Sequence, residues 1–141
     1  MLIEIKDKWG DIILSGEYES IKDCVESNRD VNFSYADFRG ADFSGADFRD
    51  ANLYGANFRD AINYRDQHSI FQEMIRQQKV DTFSESEWAA IAQIIVHSLC
   101  WNSIKKRFAD VIPHVFEILA NQGYSEWLDY WNELLSENTK E

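Results

Sequence analysis

Large apolar side chains fall at every fifth position along the middle of the chain: Phe33, Phe38, Phe43, Phe48, Leu53 and Phe58. Two places before each stands Ala, or Val31 in the first case, and the residue between is always Asp or Asn. The fourth and fifth positions vary among Ser, Arg, Tyr, Gly and Asp. A period of five fits neither the 3.6-residue turn of a helix nor the two-residue alternation of a strand. It fits a chain that turns a corner every five residues, with the small first and large third residues facing inward. Four such faces close a coil of roughly 20 residues, and successive coils stack about 4.8 Å apart. Asp or Asn at the second position is placed to bond backbone at the corner. Gly40, Gly45 and Gly55 suit corners that need unusual torsions. The register predicts about one and a half coils over residues 31–60, with the six third-position side chains buried. A seventh pentad opens at Ala61 and fails at Ile62-Asn63.

The flanks follow other periods. Leu2–Lys6 and Asp11–Leu14 read as short strands joined through Lys8-Trp9-Gly10. Ser20-Ile21-Lys22-Asp23 opens a helix with Ile21, Cys24 and Val25 on one face. That helix leads into Val31 and is expected to cover the first coil. Beyond the repeat, Ile70, Phe71, Met74 and Ile75 mark an amphipathic helix. Ser84-Glu85-Ser86-Glu87 opens another, apolar nearly all round and expected to be central. A further stretch runs from about Ser103 to Gly123, interrupted by Pro113. The last helix starts at Ser125, with Trp127, Leu128, Trp131, Leu134 and Leu135 inward. Three regions are expected: an N-terminal hairpin and helix over 1–30, the repeat over 31–65, and an acidic helical domain of four or five helices over 66–141.

Ala-(Asp/Asn)-(Phe/Leu)-x-x, six times in a row, resembles the pentapeptide-repeat family, whose motif is Ala-(Asp/Asn)-Leu-x-x. The resemblance covers 30 of 141 residues. It implies a right-handed quadrilateral β-helix, here short and capped by the N-terminal hairpin and helix and by the C-terminal helical bundle. Some family members are rod-like mimics of B-form DNA that bind topoisomerases through a long negative surface. This repeat is too short for a rod and nearly neutral, which argues against that role for the coil.

Composition narrows the function. The chain has 14 Lys+Arg against 25 Asp+Glu, a net charge of -11, and 45% hydrophobic residues. That suffices for a core and opposes nonspecific binding to nucleic acid or an anionic membrane. Residues 1–30 hold 4 basic and 8 acidic side chains, residues 31–65 hold 4 and 5, and residues 66–141 hold 6 and 12. Cys24 and Cys100 show no CxxC pattern and read as free thiols in a reducing cytoplasm. The chain opens on an alternating strand instead of a leader. Its longest apolar run, near Trp88–Trp101, is too short and interrupted to span a membrane.

Candidate chemistry is sparse. His97 and Cys100 are three apart on an expected helix, but two ligands do not make a zinc site, and a core histidine and buried thiol are the simpler reading. No dinucleotide, Walker or nucleophile-elbow motif is present. Asp37, Asp42 and Asp47 recur because the repeat demands them, whereas a catalytic dyad needs distinct environments. No enzyme activity, cofactor or metal is expected. Arg39 is expected to stack on Arg59 and Ser34 on Tyr54, one coil apart, with the arginines paired to neighbouring Asp. Lys105-Lys106-Arg107 reads as a solvated face.

One charged pattern stands out. Glu126, Asp129, Glu133, Glu137 and Glu141 form an acidic stripe opposite the Trp/Leu face of the last helix. Three readings follow. The first is a binding protein that occupies a basic, nucleic-acid-binding surface of a target through Glu126, Asp129, Glu133 and Glu137, as a phage-type inhibitor of a host defence complex would. The second is an oligomerising adaptor, and the third an enzyme. Five Trp and six Tyr in so small a chain also suggest a homodimer.

Overall fold

The computed structural model describes residues 1–139. It contains helices and a small two-stranded sheet, with the repeat between them. Strands β1 (Leu2–Lys6) and β2 (Ile12–Glu17) are followed by α1 (Ile21–Glu26), the repeat, and α2 (His68–Arg76). A single 3-10 turn (Val80–Thr82) precedes α3 (Glu85–Val96), α4 (Trp101–Phe108), α5 (Ile112–Asn121) and α6 (Glu126–Thr139). Two compact units divide the chain, Met1–Gln77 and a second that begins at Gln78, so α2 falls with the repeat.

The first unit opens with the antiparallel pair β1–β2. Ile3 and Ile5 point inward while Leu2, Glu4 and Lys6 face out, the alternation of a half-buried strand. The second strand begins one residue later and ends three later than its hydrophobic pattern indicated, because Ser15, Gly16 and Glu17 stay paired with Glu4, Ile3 and Leu2. Asp7 shapes the turn: its Oδ1 accepts from Trp9 N at 2.9 Å and Asp11 N at 3.0 Å. The end of β1 then joins the repeat, with Asp37 N donating to Lys6 O at 2.7 Å and Lys8 N to Tyr35 O at 2.9 Å. Helix α1 starts where Ser20 Oγ accepts from Asp23 N, and it buries Cys24 and Val25.

Every pentad turns by the same means. The first-position N–H donates to the preceding third-position carbonyl, as in Ala36 to Phe33 at 3.0 Å and Ala46 to Phe43 at 2.8 Å. Second-position Asp or Asn accepts from the fourth-position N–H, from Asn32 to Ser34 through Asn57 to Arg59. The fifth residue carries a positive φ in all six pentads, the torsion such a turn demands at its third position. Pairing between coils is parallel and 20 residues apart: Asn32 with Asn52, Asp37 with Asn57, Asp42 with Ile62. The last pair carries the coil past the point where the motif breaks. Phe33, Phe38, Phe43, Phe48, Leu53 and Phe58 are buried, with Phe43 and Phe48 edge-to-face at 4.9 Å.

Past the final pair, side chains take the register of the missing backbone. Gln67 Oε1 accepts from Phe48 N at 3.1 Å and its Nε2 donates to Ala46 O at 2.6 Å. Glu73 Oε2 accepts from Gly55 N, and Gln77 Nε2 donates to Ala56 O. Coil carbonyls and amides thus find partners although no further coil exists to supply them.

In the second unit α5 packs on α3 and α6. Ser84 and Glu87 close a capping box at the start of α3. This helix is not central: Ala90, Ile91 and Ile94 are buried, but Ala89, Ala92 and Val96 are exposed, Val96 at 74%. Alanines, good helix formers on any face, made it look apolar all round. Pro113 does not interrupt a helix but sits in the first turn of α5, where its missing N–H costs nothing. The chain breaks instead at residues 109–111, between α4 and α5. In α6, Trp127 and Trp131 are buried, Leu128 and Leu134 are half-buried, and Leu135 is 41% exposed rather than inward.

Candidate interaction surface

Helix α6 sets its acidic side chains against its buried tryptophans. Asp129, Glu133 and Glu137 are exposed and Glu126 is half-exposed, with Trp127 and Trp131 turned into the unit. The segment Glu126–Thr139 contains no Lys or Arg. Glu141 lies outside the described residues.

On the repeat, Arg39 and Arg49 are paired locally. Arg39 grips Asp37 through Nε at 2.9 Å and Nη2 at 2.8 Å. Arg49 grips Asp47 in the same way, and Arg29 reaches the same Asp47. These arginines hold both aspartates below the usual carboxylate range, Arg49 having the larger effect on Asp47. Arg39 and Arg59 belong to adjacent coils, since Gly40 N donates to Arg59 O at 3.0 Å. Ser34 Oγ donates to Asn52, the residue before the neighbour of Tyr54, at 2.9 Å.

A second surface runs along the first unit. Trp9 of the β1–β2 turn meets Tyr35 of the first coil, with ring centroids 5.1 Å apart. Tyr35 meets Tyr54 of the next coil at 5.6 Å, edge to face. Lys8 Nζ sits 4.9 Å from the Trp9 ring and 4.7 Å from Tyr35, and the Arg76 guanidinium lies 3.9 Å over Tyr54. An open groove beside Tyr54 is lined by Asn52, Gln72, Glu73 and Arg76.

His97 and Cys100 do not share a helix: His97 ends α3, Ser98 takes a left-handed φ, and Cys100 precedes α4. Both are exposed, so neither the core histidine nor the buried thiol of the sequence reading holds. Ser103 lowers the Cys100 thiol pKa by hydrogen bonding, whereas burial raises that of Cys24. Among the described residues no three His, Cys, Asp or Glu side chains gather closely enough to hold a metal ion. No described helix is long and apolar enough to cross a membrane.

The family model for pentapeptide repeats matches residues 29–62, in eight copies. Residues 29–62 are pentapeptide repeats. The match begins two residues before Val31 and runs two past Asp60, consistent with the pairing of Asp42 and Ile62. No curated protein and no solved structure matches the chain. The Trp9–Tyr35–Tyr54 line on these pentapeptide repeats was missed from the sequence. Its legible signs are Tyr35, a bulky residue at a fifth position otherwise given to Gly or Asp, and Tyr54, at a fourth position otherwise given to Ser or Arg.

Proposed function

We propose that this chain is a non-enzymatic binding protein whose acidic α6 docks on a basic surface of a target protein. The family match supports a protein-interaction role. The observation that carries the finer reading is the placement of Glu126, Asp129, Glu133 and Glu137 opposite buried Trp127 and Trp131, on a chain of net charge -11. Carboxylates one helical turn apart repeat at about 5.4 Å along the helix, so the stripe presents a regular line of negative charge as a nucleic-acid strand does, though less dense than its roughly 3.4 Å per phosphate. A protein groove built for DNA or RNA is therefore the fitting target, and a host defence complex such as CRISPR or restriction is the example proposed, with this chain as a phage-type inhibitor in the host cytoplasm. The repeat acts as scaffold: a right-handed quadrilateral β-helix capped by the hairpin and α1 on one side and, within the same unit, by α2 with Gln67 and Gln77 on the other. Topoisomerase mimicry is the weaker alternative, because it needs a long acidic rod.

The test is a low-salt pull-down followed by titration of the recovered protein with the Lys variant at Glu126, Asp129, Glu133 and Glu137. Association should slow by about tenfold or more at low salt and little at high salt. Equal binding at low salt would leave the stripe as solvated surface.

The adaptor reading rests on exposed apolar side chains, Val96, Val80 and Leu135 among them. It makes the chain a homodimer joined through the aromatic-rich helical region. Light scattering at a single 16.5 kDa mass at high concentration would reject it.

A further inference from the structure

Lys8, Trp9, Tyr35, Tyr54 and Arg76 come from three separate parts of the first unit and form one continuous line. The repeat does not require it. The fourth position of the other pentads holds Ser or Arg, yet here it holds Tyr54. The fifth position is left-handed throughout and elsewhere holds Gly or Asp, yet Tyr35 occupies it with φ 62°. An aromatic residue in that region is a genuine outlier, and such strain collects at functional surfaces.

The line is also prepared. Gly55 leaves room for the Tyr35 ring, which a Cβ there would meet at 2.5 Å. Arg76 is fixed over Tyr54 by Glu73, at 2.8 and 2.7 Å, and Glu73 also holds Gly55 N. Trp9 remains 66% exposed and Tyr54 49% exposed. A tryptophan that only stapled the turn to the coil would bury more of its ring.

We propose that this ladder docks arginine side chains of a basic protein segment, their guanidinium planes stacking on the open surfaces of Trp9 and Tyr54. The rings already take cations, Lys8 on Trp9 and Tyr35, Arg76 on Tyr54. Asp7 and Asp11 flank Trp9 in the same turn, and the net charge of -11 draws a basic partner. Trp and Tyr in rigid settings are the residues that anchor protein interfaces. Single-stranded nucleic acid also stacks on rings, but it would bring phosphates to an acidic chain where Arg76 is already paired with Glu73. The proposal rests on the reading of this chain as a partner for a basic protein, but it uses a surface distinct from α6.

The experiment titrates the full chain with hexa-arginine, hexa-lysine and a short oligo-dT, following the Trp9 indole N–H by NMR, assigned with Trp9→Phe. Hexa-arginine should shift the Trp9 signal and bind about fivefold tighter than hexa-lysine, because only guanidinium stacks flat on a ring. Trp9→Ala and Tyr54→Ala should each remove that preference. Both residues are exposed, so a melting curve should show both variants folded. The α6 four-site Lys variant should weaken both peptides yet keep the arginine preference and the Trp9 shift. Equal affinity for the two peptides, or an unmoved Trp9 signal, overturns the ladder even where the α6 variant fails in the pull-down titration. Tighter binding of oligo-dT would overturn it in favour of nucleic acid.

Discussion

Tyr35 lies across Gly55, one coil away, so closely that a Cβ on Gly55 would meet Tyr35 Cδ1 at 2.5 Å. Gly55 also holds φ 71°. The two residues thus depend on each other, a left-handed tyrosine on one coil and an absent side chain on the next. Gly55→Ala should destabilise by about 2 kcal/mol or more, from torsional strain plus overpacking. Gly40→Ala, with a similar φ but open space around it, should cost only the torsional part. Urea denaturation compares the two, and Tyr35→Ala in the Gly55→Ala chain should recover the difference.

Phe43 is fully buried and touches Phe38, Phe48 and Phe58. Phe43→Ala should cost about 3–5 kcal/mol. Phe43→Asp should abolish folding by burying an unpaired charge. A soluble, cooperatively melting Phe43→Asp chain would contradict the closed interior.

Residues 31–65 alone should not fold. The fragment lacks Gln67, Glu73 and Gln77, which satisfy Ala46, Phe48, Gly55 and Ala56 backbone groups. It also lacks Lys6 and Lys8, which pair with Asp37 and Tyr35. Circular dichroism of the fragment should show no cooperative melt.

Acid should weaken both units. Burial pushes the Glu73 carboxyl up, but Arg76, Gln77 and Gly55 N outweigh it and hold it below its ordinary value. Burial likewise acts on Glu87, and hydrogen bonds from Ser84 and His114 outweigh it. A carboxyl depressed in the folded chain contributes stability above its unfolded pKa, about 4.3, and loses it as pH falls through the folded value. The urea midpoint should therefore fall below about pH 4.5, and Glu73→Gln or Glu87→Gln should flatten that acid limb while lowering the midpoint at neutral pH.

Pro113→Ala should change stability by less than about 1 kcal/mol, against about 3 for a proline within a helix, because position 113 lies in the first turn of α5. A large gain on removing the proline would mean that it does strain the helix.

The sequence by itself determined the repeat. A small, an Asp or Asn, and a large apolar residue recur at the first three pentad positions because each corner needs the same turn: Asn or Asp to accept from the backbone, a left-handed fifth residue, and a large third side chain inward. Those are local requirements, so they leave a local mark. The start of α1 at Ser20 and the capping box at Ser84 were legible for the same reason.

The tertiary structure decided what local rules do not constrain. Alanines on α3 carry no sign of which face meets a neighbour, so its exposed Ala89, Ala92 and Val96 passed for core. Pro113 suits either a break or a helical first turn, and only the position of α5 chose between them. Gln67 and Glu73 look like ordinary polar residues until the coil ends beside them and its backbone groups need partners. Trp9, Tyr35, Tyr54 and Arg76 lie far apart in sequence, and only the stacking of coils against the β1–β2 turn and α2 sets them in one line. Short-range periodicity records the turns a chain must make, whereas contacts between distant segments depend on where those turns deliver the chain.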